Sequence, residues 1–460
     1  MHTPSLLTLF GQFVSNAHVP ALAREAALNA VLDTIGVMLA GSREPAARLV
    51  RQVAKAEGGA PRCGILGSVE RTGAGWAALA NGTAAHALDF DDMCFVSMAH
   101  PSAPLVAAGL AAAELASGSG SRFLDAFCVG FEVEAILGRL MNPSHYERGW
   151  HATSTIGTIG AAATASRLLG QKAESAARTM AIAASAACGI KESFGTMVKP
   201  LQAGLAGRNG VLAVQLAEAG FTATDLAIEG SQGLLVAMQA SCHDSKDEMT
   251  RLGRSWEIVD GGITVKLYPS CAATHPAIDT LLDLRKKYGF TAADIDQVKI
   301  GVDSVTPTVL IHDRPETGLQ GKFSMHFCAA SAVAHGRIDL QTFEPGGLSD
   351  LVTRQLLPRV TMYVDPLLGA DQPPLTEAKV AVHLRDGSFY EWRVRGARGY
   401  PSHPPSTQEL DQKFQTCAER AVSASVATEA LAWLRELEHQ PLVGSLADLL
   451  NQSVSTSIPS

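Results

Sequence analysis

From Pro20 to about Gly220 the chain keeps returning to alanine- and glycine-rich segments whose apolar residues recur at helical spacing. "PALAREAALNAVLDTIGVMLAG" starts at a proline and ends at a glycine, as a helix should. "RTGAGWAALANGTAAHALDF", "PSAPLVAAGLAAAELASG", "RFLDAFCVGFEVEAILGRLMN", "ATSTIGTIGAAATASRLLG", "SAARTMAIAASAACGI" and "GLAGRNGVLAVQLAEAG" follow the same habit. Alanine favours helix, and small side chains let helices approach closely. Roughly the first 260 residues therefore read as all-α. With 460 residues, 47% of them hydrophobic and 18% charged, the chain exceeds one ordinary core and predicts two domains, either side by side or one inserted in the other.

The texture changes near Gly261. "ITVKLYPS" is β-branched and aromatic and predicts a strand, then "PAIDTLLDLRKKYG" a helix and "DQVKIGVDSV" a second strand. After a further helix, "FSMHFCAASAVAHG", the stretch "KVAVHLRDGSFYEWRVRG" alternates about an Asp-Gly turn, the signal of a hairpin. This is α/β material. Beyond the proline-rich "YPSHPPST", the helix "QELDQKFQTCAERAVS" returns to pack on the first domain, and the final "SVSTSIPS" is expected to fray.

Net charge is -8 and no basic run exceeds Arg285 to Lys287, so nucleic acid lacks its electrostatic footprint. Eight cysteines, Cys63, Cys94, Cys128, Cys188, Cys242, Cys271, Cys328 and Cys417, form no CxxC pair and read as reduced, mostly buried thiols. The N-terminus lacks a basic n-region, and no uncharged stretch reaches the roughly 20 apolar residues that span a bilayer. A cytoplasmic protein with no membrane partner is expected.

Chemistry concentrates in "HALDFDDMCFVSMAHPSAP", where His86, Asp89, Asp91, Asp92 and His100 crowd fifteen residues. If Gly75 to Phe90 is helical, His86 and Asp89 share one face, while Asp91 and Asp92 meet the unfavourable C-terminal end of the dipole. An aspartate beside His100 serves to orient an imidazole or hold a proton. The bland alternative is a solvated turn before a proline-started helix. Metal ligation by Asp, Asp and His is a third reading, although neither HExxH nor an EF-hand pattern is present.

In "RGWHATSTIG", His151 precedes Thr153 and Ser154, natural N-caps for a helix whose first amides suit a carboxylate. "FGTMVKPLQAGLAGRNG" places Lys199 before Pro200 in a loop flanked by Gly195 and Gly204, either as bait for an anion or as a solvated lysine. "VKLYPSCAATHPAID" adds Lys266, Cys271 and His275, a weak candidate for a thiol and its base, and "QGKFSMHF" adds Lys322.

Taken in order, "LDTIGVMLAG", "NGTAAHALDFDD", "HPSAP", "GWHATSTIGTIGAAATASRLLG", "GTMVKPLQAGLAGRNG", "KLYPSCAATHP", "KFSMHF" and "PSTQELDQKF" resemble the MmgE/PrpD family over nearly the whole chain. Its members include 2-methylcitrate dehydratase, cis-aconitate decarboxylase and iminodisuccinate epimerase. The resemblance implies a mainly α fold: a large helical domain over 1–262, completed by 401–460, with a smaller α/β lid domain inserted at 263–400 and the active site between them. It further implies a homodimer, a small polycarboxylate substrate, and neither cofactor nor metal. Asp89, His100, His151 and Lys199 match family residues of catalysis, and Lys266 matches a lysine of the lid-side wall. Ser102, Gln202, Met93, His275 and Lys322 are placed with Lys266 in substrate binding. Two departures stand out: Met93 replaces the threonine of "DFDDT", and Gln202 stands where the decarboxylase branch has histidine.

The family's shared problem is a C–H bond next to a carboxylate. Without an electron sink, cations must hold the carboxylates, and a base must reach the carbon. The resemblance leaves His100 or His151 as that base, with the other as opposing acid and Asp89 orienting a neighbouring imidazole. A dehydratase is expected first and an epimerase second, with a decarboxylase less favoured. A metal-dependent hydrolase and a non-catalytic polycarboxylate binder are the readings from other classes.

Overall fold

Residues 4–240, 245–369 and 375–451 are described by a computed structural model, which leaves Cys242 and the C-terminal "SVSTSIPS" outside. The fold is mainly α, and it divides into two units. One comprises residues 1–192, 198–264 and 406–460, the other 193–197 and 265–405.

The first unit is built on α1 (Ala21–Gly41), α2 (Ala74–His86), α3 (Ser102–Ala116), α4 (Gly120–Met141), α5 (Ala152–Leu168) and α6 (Val198–Glu218). Most of these helices are buried along most of their length. In α5 every residue from Ala152 to Ser166 is buried, so the helix is sealed on all sides by its neighbours. Two of its polar side chains are satisfied within the helix: Thr158 donates to the Ser154 carbonyl at 2.6 Å and Thr164 to that of Gly160 at 3.1 Å. Among the described residues of this region the helical reading is broken by a two-residue antiparallel strand pair, Cys63–Gly64 with Arg71–Thr72, besides isolated bridges.

Glycine fixes the spacing where it matters. Gly82 of α2 and Gly204 of α6 face each other so closely that a Cβ on Gly82 would lie 2.8 Å from the Cα of Gly204. A Cβ on Gly204 would strike the Leu79 carbonyl and lie 2.9 Å from the Thr83 nitrogen. The two backbones are in direct contact, which brings the side chains near His86 and Lys199 into reach of each other.

The second unit holds a four-stranded sheet of β1 (Ile295–Val302), β2 (Val360–Val364), β3 (Glu377–Leu384) and β4 (Phe389–Arg395), in the order β2-β1-β3-β4. β1 and β2 run parallel, Val298 opposite Val360, and the other pairs are antiparallel, with Val380 opposite Trp392. α7 (His275–Tyr288) packs on β3 and β4, and α8 (Met325–His335) on β2. The Asp-Gly hairpin is present, Ser388 N–H donating to Asp386 at 2.8 Å.

"ITVKLYPS" is not a strand. Thr264 pairs only with Met93 and Val265 donates to the Gly399 carbonyl at 2.9 Å, so no ladder runs along the segment, and Pro269 has no donor to extend one. The tail returns as expected: α9 (Thr407–Ala418), started by a Ser406/Glu409 capping box, lies on α1, where Gly36 admits Phe414.

Candidate active site

The Asp-rich turn is not a solvated one. His86, Asp89, Asp91 and Asp92 are 1%, 3%, 0% and 0% exposed. α2 stops at His86 rather than at Phe90, because Asp89 takes a left-handed backbone with φ of +51°. Aspartate tolerates that region better than most residues, at a cost the surroundings must over-determine. The break turns Asp89 and Asp91 to two different partners.

Lys199 lies in the first turn of α6 rather than in a loop; Pro200 is compatible with a helix start, where its missing N–H goes unneeded. Its ammonium donates to Asp89 Oδ1 and to His86 Nε2, both at 2.6 Å. Since Nε2 accepts, the His86 proton sits on Nδ1, which donates to Asp91 Oδ2 at 2.8 Å. The result is a buried line of alternating groups: Asp91, His86, Lys199, Asp89.

Burial pushes the His86 imidazole below its ordinary pKa, and the Lys199 charge adds to that against the opposing pull of Asp91. Burial alone would raise Asp91, but His86 and His100 together hold its carboxyl well below the usual range. A neutral imidazole beside an ionised carboxylate is the state that fits both.

His100 borders this line, its ring edge-on to His86 with centroids 4.5 Å apart. Its Nδ1 lies 3.5 Å from Asp91 and its Nε2 3.8 Å from Asp89. Thr153 does not cap α5; it accepts the His100 backbone N–H at 2.9 Å, while Ser154 donates to the Cys188 carbonyl and His151 itself holds the cap position. The His151 ring stacks toward His86 at 5.8 Å between centroids.

Gln202, one turn along α6 from Lys199, sets the His151 tautomer. Its Nε2 donates to the Ile190 carbonyl at 3.2 Å, so its Oε1 is the atom that faces His151 Nδ1 at 2.6 Å. The proton is therefore on Nδ1 and the lone pair on Nε2. Burial, with the Lys199 charge next, pushes His151 well below its ordinary pKa. It is a neutral acceptor.

Asp92 turns away to a clamp: it accepts both the hydroxyl and the backbone N–H of Ser102 at the start of α3. Burial raises its carboxyl to about 8 against those bonds. Met93 is buried and joins Thr264 by two backbone bonds, 2.9 and 2.8 Å. Asp89, His100, His151, Lys199, Gln202, Ser102 and Met93 thus all belong to the first unit. Lys266, His275 and Lys322 belong to the second, all buried; Lys322 donates to the Pro269 carbonyl at 2.9 Å and His275 meets the Ser270 carbonyl at 3.2 Å.

The sequence motifs mark Asp89 and His100 as site residues but not His86 or Asp91. The signal was present in "HALDFDD", yet a histidine on an alanine-rich helix reads first as a packed residue. His86, Asp89, Asp91 and His100 also each present a donor atom within 4.8 Å of the others, a spacing that suits a metal ion. Lys199 already gives two of those donors a cation, which makes the set a poor fit for a second one.

Residues 9–244 match the MmgE/PrpD N-terminal domain and residues 268–438 the MmgE/PrpD C-terminal domain. The chain belongs to the MmgE/PrpD family. It is 28% identical, over 437 residues covering 88% of each chain, to the "Cis-aconitate decarboxylase-like protein oryM" of Aspergillus oryzae. It is also 26% identical over 428 residues to the cis-aconitate decarboxylase of Mus musculus, covering 89% of this chain and 85% of that one. With the cis-aconitate decarboxylase of Aspergillus terreus the identity is 24% over 465 residues, 96% of this chain and 94% of the other.

Proposed function

We propose that the chain is a lyase that moves a proton at a carbon next to a carboxylate, acting on a di- or tricarboxylate, with dehydration of a 2-methylcitrate-like hydroxy acid as its reaction. The observation that carries this reading is the neutral His151, its proton placed on Nδ1 by Gln202 and its lone pair on Nε2. A site that begins by accepting a proton needs that state.

In this reading Lys199 holds a substrate carboxylate and balances the charge that grows on it as the C–H bond breaks. His151 Nε2 takes the proton. The C–H electron pair becomes the C=C bond as the C–O bond of the adjacent hydroxyl breaks, and that hydroxyl leaves as water with a proton from His100. The Asp91–His86 pair fixes Lys199 by accepting from it through His86 Nε2. Roles for Lys266, His275 and Lys322 in holding the substrate come only from the family resemblance.

A second reading, decarboxylation of cis-aconitate, is favoured by the names of the relatives. There the C–CO₂ bond breaks, the electron pair shifts through the alkene, and the far carbon takes a proton from a histidine. Met93 and Gln202 weigh against it. Proton NMR of the enzyme with 2-methylcitrate, citrate, cis-aconitate and iminodisuccinate tests the choice. New vinyl signals from a hydroxy acid support the dehydratase, and vinyl signals with CO₂ from cis-aconitate support the decarboxylase. Loss of optical purity in iminodisuccinate without alkene would point to an epimerase, and silence on every compound counts against the substrate class.

A further inference from the structure

We propose that Lys413, from the C-terminal helix α9, is a positioning residue for the acid/base centre: it holds the Asp89–Asp91 turn in the shape that joins Asp89 to Lys199 and Asp91 to His86. This inference rests on the reading of that cluster as the reacting centre.

The turn has to be held from outside. Asp89 is a non-glycine residue in the left-handed region, and α2 has already ended, so helix hydrogen bonds no longer fix the chain. Each of the residues after Asp91 has its own anchor: Asp92 has Ser102, and Met93 has the backbone of Thr264. Phe90, between the two working carboxylates, has Lys413. The Lys413 ammonium donates to the Phe90 carbonyl at 2.8 Å and lies 4.1 Å from the centre of the Phe90 ring, so main chain and side chain are gripped together.

Lys413 is itself fixed from the other side. Asp33 of α1 accepts at 3.0 Å through Oδ2 and lies 2.7 Å away through Oδ1, and both side chains are nearly sealed, 5% and 0% exposed. A buried pair of this kind contributes little to stability compared with apolar replacements, so its presence calls for another reason. Here the ammonium has a third partner, the carbonyl of the turn. The distance in sequence, residue 33 to 90 to 413, means that the centre takes its shape only when the tail has docked on α1.

Lys413→Met alone strands the Asp33 charge and is a test of folding as much as of position. The decisive variant is Asp33→Asn/Lys413→Met, which removes both charges and leaves the Phe90 carbonyl without its donor. Two readouts are made on full-length protein: the downfield imidazole proton of His86 Nδ1, assigned by its loss in His86→Gln, and the split of kcat from KM on whichever substrate the panel yields. With the double variant still folded, the resonance should shift or vanish. kcat should fall on the order of 10²-fold, with KM within about threefold, as for a displacement of about 1 Å in a reacting group. A resonance that stays in place, or a kcat within about threefold of the parent, overturns the inference. If the parent turns over none of the panel, the resonance still decides the role of Lys413, and it is the substrate reading that fails.

Discussion

In the proposed mechanism His151 and Gln202 form the pair on which proton transfer turns, and their contact makes a pH prediction. His151 accepts a proton only while neutral, and burial together with Lys199 keeps its pKa low, so activity should persist to low pH. Gln202→Glu places a carboxylate at Nδ1, stabilises the imidazolium and raises that pKa. The acid limb of kcat/KM should then move to higher pH by about one unit or more, read from a pH–rate profile of parent and variant. An unmoved limb would separate His151 from the proton transfer. Asp92 makes a different prediction, about stability. Its folded-state pKa is raised to about 8 from an unfolded value of about 3.9, so the folded state binds the extra proton between those pH values. The stability this lends is complete below the unfolded value and is lost as pH rises through about 8. Asp92→Asn does not titrate, and its melting temperature should gain on that of the parent steadily from pH 5 to pH 8. A constant difference across that range would mean that Asp92 is ionised in the fold.

At the scale of elements the site depends on α2 and α6 touching backbone to backbone at Gly82 and Gly204. Gly204→Ala puts a methyl against the Leu79 carbonyl and the Thr83 nitrogen, atoms that cannot swing aside. The helices must part, at about 1–3 kcal/mol, and Lys199 should lose its reach to His86. Denaturant unfolding measures the first effect, and loss of activity before loss of fold would reveal the second. This close packing was legible in advance, because alanine and glycine at helical spacing have few other uses. The Asp-Gly hairpin was legible for the same local reason. What escaped was set by distant partners. α2 ends early because the residues after it are anchored from Ser102, Thr264 and Lys413, none of which its own periodicity reveals. "ITVKLYPS" has the composition of a strand, but strand formation needs a neighbouring ladder, and the segment meets only single contacts. Likewise Lys199 read as a loop residue because Pro200 follows it, although proline fits the first turn of a helix.

Across the molecule, the family assignment rests on matches to both of its domains, and no helix among the described residues is long and apolar enough to cross a membrane. Within that frame the helical unit, assembled from three separated stretches of chain, carries the whole Asp91–His86–Lys199–Asp89 line together with His100 and His151. In the proposed mechanism these side chains alone move a proton at a carbon beside a carboxylate. Its most direct test is to incubate the chelator-treated protein in D₂O with the polycarboxylate panel and to follow deuterium at carbon, by proton NMR and mass, in both products and recovered substrates. Deuterium should exchange into the position next to a carboxylate, or be retained in an alkene product, with the rate cut 10²–10⁴-fold in His151→Ala and unaffected by the chelator. Exchange that disappears on chelation and returns with a divalent metal, or that survives His151→Ala undiminished, would contradict it.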